Sequence, residues 1–202
     1  MSASAKMKFL GTLADSEGGA QRDWRVQRLC EIIKDRSLKK GEFELASGST
    51  SNVFFDMKAT LLHPEGINLA GDLILERLER MPVDAVGGLI IGACPLVDVL
   101  ATKSYGRVTA PQTYFYVRKE PKERGTKSLI EGNLSDGTRV VIVDDVTTEG
   151  NSALRAVEAV RAHHCRVSTV ITVVDREQGA AQKFADRGIE LISLLKRSDF
   201  PI

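Results

Sequence analysis

Residues 139–160 read RVVIVDDVTTEGNSALRAVEAV, and this stretch predicts a strand, a polar turn and a helix in succession. Val140 to Val143 form an unbroken β-branched run, which is typical of a strand buried on both faces of a parallel sheet. After the polar turn, apolar residues recur at helical spacing, namely Ala153, Ala156, Val157 and Val160. Strand and helix patterns alternate elsewhere in the chain, so we expect an α/β fold with a mostly parallel sheet flanked by helices.

The polar turn of this stretch is a candidate phosphate site. Free backbone N–H groups and the positive end of the helix dipole converge there. Gly150 permits close backbone approach, and Thr148 and Ser152 offer hydroxyl donors. Asp144 and Asp145 would repel a phosphate, so we expect them to accept hydrogen bonds from sugar hydroxyls or to lie near a hydrated divalent cation. The stretch therefore predicts a ribose 5-phosphate site, with a simple helix N-cap as the alternative for either acid alone.

A second candidate element is the charged run at residues 118–127, which reads RKEPKERGTK. It holds five cationic side chains and no large apolar one, and it follows a predicted core strand at residues 113–117. A solvated charged loop is one interpretation. Its position after a core strand favours the other, a loop that an anionic ligand orders.

Three further features lie where ligands could bind. Residues 46–52 read ASGSTSN and lead into Phe54 and Phe55. Strand alternation predicts one ring in the core and one outside, while a serine-rich turn before two aromatics could also hold a flat, polar heterocycle. The turn at residues 92–95, after a predicted strand at 85–91, is either a plain connection or a diphosphate site. Arg176 follows a third buried strand, on the side where ligands bind in open α/β sheets.

Composition limits the remaining possibilities. The 202 residues are 43% hydrophobic, enough for one core, and we expect a polar lead-in at residues 1–22 before a single domain at 23–202. The 28 Lys and Arg nearly balance the 27 Asp and Glu, so no global field recruits nucleic acid. Three scattered cysteines suit a reducing cytoplasm. We expect no membrane span, because no apolar run reaches about 18 residues.

The stretch at 139–160 resembles the motif with which type I phosphoribosyltransferases bind 5-phosphoribosyl 1-diphosphate (PRPP). The matching residues are Asp144, Asp145, Thr148, Gly150 and Ser152, whereas Glu149 departs from the small residue usual in that family. The charged run resembles the catalytic loop of orotate phosphoribosyltransferases, and this narrows the resemblance to that family. It implies the type I fold, with a small hood built from N- and C-terminal segments.

The resemblance implies transfer of ribose 5-phosphate from PRPP to orotate, giving orotidine 5′-monophosphate and diphosphate. It also implies a Mg²⁺ cofactor, held mainly through PRPP and water near Asp144 and Asp145 and without a direct protein ligand. The implied catalytic residues are Lys122, Arg118, Asp144 and Asp145. The implied PRPP-binding residues are Arg118, Lys119, Lys122, Arg124, Asp144, Asp145, Val146, Thr147, Thr148, Glu149, Gly150, Asn151, Ser152, Ala93 and Cys94. The implied orotate-binding residues are Ser51, Phe54, Phe55, Thr148 and Arg176.

The family resemblance further implies a cytoplasmic homodimer in which the catalytic loop is shared across the interface. Three further departures from the family pattern occur: Arg124 replaces a histidine, Ala46 replaces a lysine, and residues 92–95 lack the usual lysine. Two alternatives stay open. One is a type I phosphoribosyltransferase for a purine or for uracil, and the other is a non-catalytic PRPP-sensing regulator that binds RNA or DNA. The near-zero net charge argues against the regulator.

Overall fold

The computed structural model describes residues 23–44, 50–121 and 128–201. The helices in these ranges are α1 (Trp24–Arg36), α2 (Lys58–Leu61), α3 (Pro64–Leu78), α4 (Cys94–Ser104), α5 (Asn151–Ala162) and α6 (Ala180–Ala185). The strands are β1 (Leu38–Glu44), β2 (Thr50–Phe55), β3 (Ala85–Leu89), β4 (Thr113–Val117), β5 (Ile130–Glu131), β6 (Arg139–Thr147), β7 (Arg166–Asp175) and β8 (Glu190–Lys196). A short 3-10 helix, Arg197–Asp199, follows β8.

The main sheet has the strand order β5-β4-β3-β6-β7-β8. Only β5 is antiparallel to its neighbour, while β3, β4, β6, β7 and β8 run parallel. Along β6 the side chains alternate between two cores, as the pleat of a strand requires. Val141 and Val143 pack on the side of α1, α3 and α4, and Val140 and Ile142 pack on the side of α5 and α6. The predicted α/β fold, a mostly parallel sheet flanked by helices, is confirmed.

The central strand is longer than the sequence pattern predicts. We expected it to end at Val143, with both acids in the turn, but β6 continues to Thr147. The cause is the long neighbouring strand β7, because Asp144 pairs with Thr172 and Thr147 pairs with Asp175. The two acids therefore lie inside a hydrogen-bonded strand, and their positions are fixed by the sheet rather than by a loop.

A smaller unit, the hood, consists of residues 38–44, 50–55 and 197–200. Strands β1 and β2 pair antiparallel. The C-terminal segment joins them through Phe200, whose ring meets Phe55 edge-on with the centroids 5.1 Å apart. The expected hood of N- and C-terminal segments is thus present. In the described parts of the chain, no helix has both the length and the apolar character that crossing a membrane requires.

Candidate active site

The carboxyl ends of the parallel strands meet at one edge of the main sheet, and the predicted phosphate turn lies there. Gly150 has φ of +79° and precedes α5, and no side chain caps this helix. The first N–H groups of an α-helix have no partner within the helix, so α5 presents donors and its positive dipole end toward the turn. Ser152, in the first turn of α5, is exposed. The turn is therefore built to receive an anion.

Glu149, which departs from the family pattern, is hydrogen-bonded to Asn151 and, through Asn151, connected to Lys183 of α6. Asn151 donates its amide to the Glu149 carboxylate at 3.3 Å and accepts a hydrogen bond from Lys183 of α6 at 2.5 Å. The acid thus belongs to a polar chain that ends in a cation, which offsets its charge beside an anion site.

Replacing Gly150 with Ala tests how tightly this turn is built. A Cβ at Gly150 would lie 2.6 Å from Cζ of Phe184, whereas Gly137, with a similar φ of +77°, has nothing within 4 Å. Both substitutions strain a left-handed backbone, but only Gly150→Ala adds a clash. We expect urea unfolding to show a loss of stability about 1–3 kcal/mol larger for Gly150→Ala than for Gly137→Ala. Equal losses would mean that the turn can move away from Phe184.

Asp144 and Asp145 form a pair of acids at the end of β6. Asp144 is only 5% exposed, and its carboxylate accepts a hydrogen bond from the Asp145 N–H at 3.2 Å. Burial raises the pKa of Asp144 well above its usual value, and the neighbouring Asp145 raises it further. Burial also raises the pKa of Asp145, against the Val146 N–H and the Lys58 ammonium, which lower it. A buried acid beside a half-buried one creates a site that attracts a cation or hydroxyl donors.

The predicted diphosphate turn, residues 92–95, begins at Gly92, which lies against Asp145. A Cβ at Gly92 would come within 2.8 Å of Asp145 Oδ1, so any larger residue there would displace the carboxylate. Ala93 is fully buried, and Cys94 begins α4. Burial, followed by the charge of Asp98, raises the pKa of Cys94, which keeps its thiol neutral.

The described ends of the charged loop lie at the carboxyl end of β4. The Arg118 N–H donates to the Leu129 carbonyl at 2.8 Å, which closes the base of the loop. Arg155 of α5 donates to the Lys119 carbonyl, also at 2.8 Å, and so connects this base to the helix that carries the phosphate turn. Lys122 and Arg124 lie outside the described residues.

Of the candidate orotate residues, Arg176 and Phe55 lie together where β2 of the hood meets the main sheet. Arg176 is 7% exposed, donates to the Val53 carbonyl at 3.1 Å, and lies 6.0 Å from the Phe55 ring centroid. Burial lowers its pKa. Phe55 is 3% exposed and Phe54 is 37% exposed, which confirms the predicted alternation of one ring inside and one outside. Ser51 lies on β2, and its side chain is outside the described part of the structure.

The structure thus brings the acid pair, the phosphate turn, the turn at residues 92–95 and the loop base to one sheet edge, with Arg176 and Phe55 where the hood meets this edge. Sequence reasoning missed two residues there, Lys58 and Arg155. Lys58 lowers the pKa of Asp145, and Arg155 donates to the Lys119 carbonyl. No local sequence pattern marks interactions between residues so far apart in the chain.

Comparison with known proteins places this arrangement in a family. Residues 65–194 match the family model of the phosphoribosyl transferase domain. An orotate phosphoribosyltransferase of Rhodopseudomonas palustris is 46% identical over 177 residues, covering 86% of this chain and 94% of the relative. The chain belongs to the orotate phosphoribosyltransferase family. A relative of the same name from Rhodopirellula baltica is 40% identical over 192 residues, covering 92% of this chain and 97% of its own.

Solved structures agree with membership of the orotate phosphoribosyltransferase family. The enzyme of Mycobacterium tuberculosis, in complex with Fe(III) dicitrate, is 34% identical with a TM-score of 0.76 and covers 88% of this chain and 99% of its own. The same enzyme in complex with PRPP is 33% identical with a TM-score of 0.71, covering 87% and 98%. The predicted type I phosphoribosyltransferase fold is therefore confirmed.

Proposed function

We propose that this protein transfers ribose 5-phosphate from PRPP to N1 of orotate, releasing diphosphate. The observation that carries the proposal is the pair formed by buried Asp144 and half-buried Asp145, on the strand that leads into the uncapped amino end of α5. This arrangement offers acceptors for a sugar diol beside donors for a phosphate. The relatives named orotate phosphoribosyltransferase support orotate as the acceptor.

In this proposal the polar turn and the acid pair bind different parts of PRPP. The turn at residues 147–152 holds the 5-phosphate through backbone N–H groups and the hydroxyls of Thr148 and Ser152. Asp144 and Asp145 accept hydrogen bonds from the ribose hydroxyls. Their negative charge also stabilises the positive charge that develops on the ribose as the C1–O bond breaks.

The leaving diphosphate and the orotate each need positive charge. The loop residues Arg118, Lys119, Lys122 and Arg124 neutralise the diphosphate as its charge grows. Arg176 pairs with orotate through its planar, bidentate guanidinium. A loop that covers the site also keeps water from the cationic sugar.

A Mg²⁺ ion fits the donors present. The acid pair offers the hard carboxylate oxygens that Mg²⁺ prefers, and no cluster of three metal-binding side chains occurs among residues 23–44, 50–121 and 128–201. We therefore assign its binding mainly to PRPP and water beside Asp144 and Asp145. When bound, Mg²⁺ would supply charge neutralisation to the diphosphate.

The direct test is the loss of orotate absorbance in the presence of PRPP and Mg²⁺. We expect turnover with orotate and none when either PRPP or Mg²⁺ is withheld. We also expect at least a hundredfold preference for orotate over uracil, adenine, guanine and hypoxanthine, because a base without the orotate carboxylate would leave polar groups of the site unpaired. Conversion of a purine or uracil in place of orotate would contradict the proposal. Binding of PRPP without any turnover would indicate the PRPP-sensing regulator instead.

Lys122→Ala is expected to lower kcat by about two orders of magnitude, the effect of removing one transition-state contact. The melting temperature should stay within about 2 °C, as for a surface change worth under about 0.5 kcal/mol. Lys127→Ala is the matched control, because it removes a cation from the same run without touching an assigned residue. Full activity of Lys122→Ala, or an equal loss in both variants, would contradict the assignment.

We also propose a cytoplasmic homodimer whose loop serves the partner's site. Mixing inactive Lys122→Ala with inactive Asp144→Asn tests it, because a mixed dimer then has one site with both an intact loop and an intact acid pair. We expect up to about a quarter of wild-type activity to return, since half of the subunits enter mixed dimers and each of these has one working site. No recovery, with sedimentation showing that mixed dimers form, would place each loop over its own site.

A further inference from the structure

Helix α6 supports the phosphate turn at residues 147–152 through two consecutive side chains. Phe184 is fully buried, and its ring fills the space that a Cβ of Gly150 would enter, 2.6 Å from Cζ. The preceding residue, Lys183, reaches the next position of the turn, because its Nζ donates to Asn151 Oδ1 at 2.5 Å. The buried ring thus holds α6 against the turn, and the lysine places an ammonium on it.

No carboxylate in contact with Lys183 cancels its charge. Its partner Asn151 is a neutral amide, whose nitrogen donates to Glu149 Oε2 at 3.3 Å. In the parts of the chain that the structure describes, neither Lys183 nor Glu149 forms an ion pair. Both residues are half-buried, so salt screens their charges less than it would on an open surface. Each charge therefore acts, with its own sign, on an anion in the turn.

Glu149 is unfavourable in a phosphate site. It directly precedes Gly150, the N-cap of α5, where unpaired N–H groups and the helix dipole attract an anion. A carboxylate at this point repels the same anion. The ammonium of Lys183, held at the other end of the Asn151 bridge, has the sign that is needed to offset this repulsion.

We propose that Lys183 is a further residue of the phosphate site, supplying from α6 the positive charge that offsets Glu149 beside a bound phosphate monoester. The inference rests on the proposed function and adds to its site a residue outside the motif at residues 144–152. Asn151 has a positioning role, because its amide holds the ammonium at the turn.

The test is titration calorimetry of ribose 5-phosphate into the whole protein at low ionic strength. Lys183→Gln is expected to raise the Kd about fivefold, the scale of one partly exposed charge, and Lys183→Arg should keep it within about twofold of the wild type. Arg187→Gln is the matched control, because Arg187 lies one turn further along, is exposed, and donates to the Lys183 carbonyl at 2.9 Å. It should leave the Kd within about twofold.

Glu149→Gln should act in the opposite direction. It removes the repelling charge and can still accept from the Asn151 amide, so we expect the Kd to fall about fivefold. Combining Glu149→Gln with Lys183→Gln removes both charges, and the double variant should bind ribose 5-phosphate within about twofold of the wild type.

Four outcomes would overturn the inference about Lys183 alone, given a wild type that binds ribose 5-phosphate and converts orotate. They are an unchanged Kd in Lys183→Gln, an equal rise in Arg187→Gln, a Kd in Lys183→Arg as high as in Lys183→Gln, and a weaker rather than tighter Glu149→Gln. A wild type that neither binds ribose 5-phosphate nor converts orotate would overturn the proposed function itself.

Discussion

Asp144→Asn is expected to stabilise the folded protein and to remove most of its activity. The carboxylate of Asp144 is 5% exposed and lies beside a second acid, so its charge opposes folding. Asparagine keeps the shape and can still accept from the Asp145 N–H. A gain of about 1 kcal/mol would raise the melting temperature by about 2–4 °C. The same change should lower kcat by about two orders of magnitude, because the amide cannot stabilise positive charge on the ribose.

The stability gain of Asp144→Asn is expected to increase with pH. The folded pKa of Asp144 is raised by burial, so its contribution to stability is complete below the unfolded pKa and is lost as pH rises through the folded pKa. The stability advantage of Asp144→Asn should therefore be absent near pH 4 and grow toward pH 8, as thermal unfolding would show. Asp84→Asn is a control of opposite sign, because Arg139 lowers the pKa of Asp84 to about 2. A less stable Asp144→Asn protein at pH 8 would contradict this account.

Arg176→Lys is expected to raise the KM for orotate by about 10- to 100-fold while the KM for PRPP stays nearly unchanged. A lysine keeps the charge but cannot form two parallel hydrogen bonds to a flat anion, and each bond to a charged group is worth about 1.5–3 kcal/mol. It also loses the guanidinium that lies 6.0 Å from the Phe55 ring centroid and donates to the Val53 carbonyl. Steady-state kinetics with each substrate varied in turn would measure the split.

Arg197→Lys is the control for Arg176→Lys, because Arg197 lies near enough to lower the pKa of Arg176 but is not assigned to orotate. It should leave both KM values within about twofold, as for a rim charge. An unchanged orotate KM in Arg176→Lys would refute the role of Arg176. An equal rise in both KM values would show that Arg176 supports the hood rather than binding orotate.

The parts of the fold that local pattern encodes were predictable. The β-branched run 140–143 and the helical spacing after Gly150 give the strand, turn and helix of β6 and α5, and period-two alternation gives the inward Phe55 and outward Phe54. The end of β6 was not predictable, because polar residues 144–147 join the strand only through pairing with β7. The two-residue strand β5 exists through its contact with β4 and has too little sequence of its own to be recognised.

The candidate site likewise has one part that the sequence reveals and another that only the folded chain reveals. The acids and the phosphate turn form one continuous motif that a single sequence can reveal. Lys58 and Arg155 have no motif, because their roles depend on neighbours 87 positions away at Asp145 and 36 positions away at Lys119. Contacts of this kind come from the strand order of the sheet and the placement of the hood, and only the folded chain displays them.

The most direct test of the central claim is a crystal structure with PRPP and Mg²⁺ bound. The account predicts the 5-phosphate at the backbone N–H groups of residues 148–152, the ribose hydroxyls at Asp144 and Asp145, and the diphosphate at the turn of residues 92–95. PRPP bound elsewhere on the protein, with residues 144–152 untouched, would contradict it.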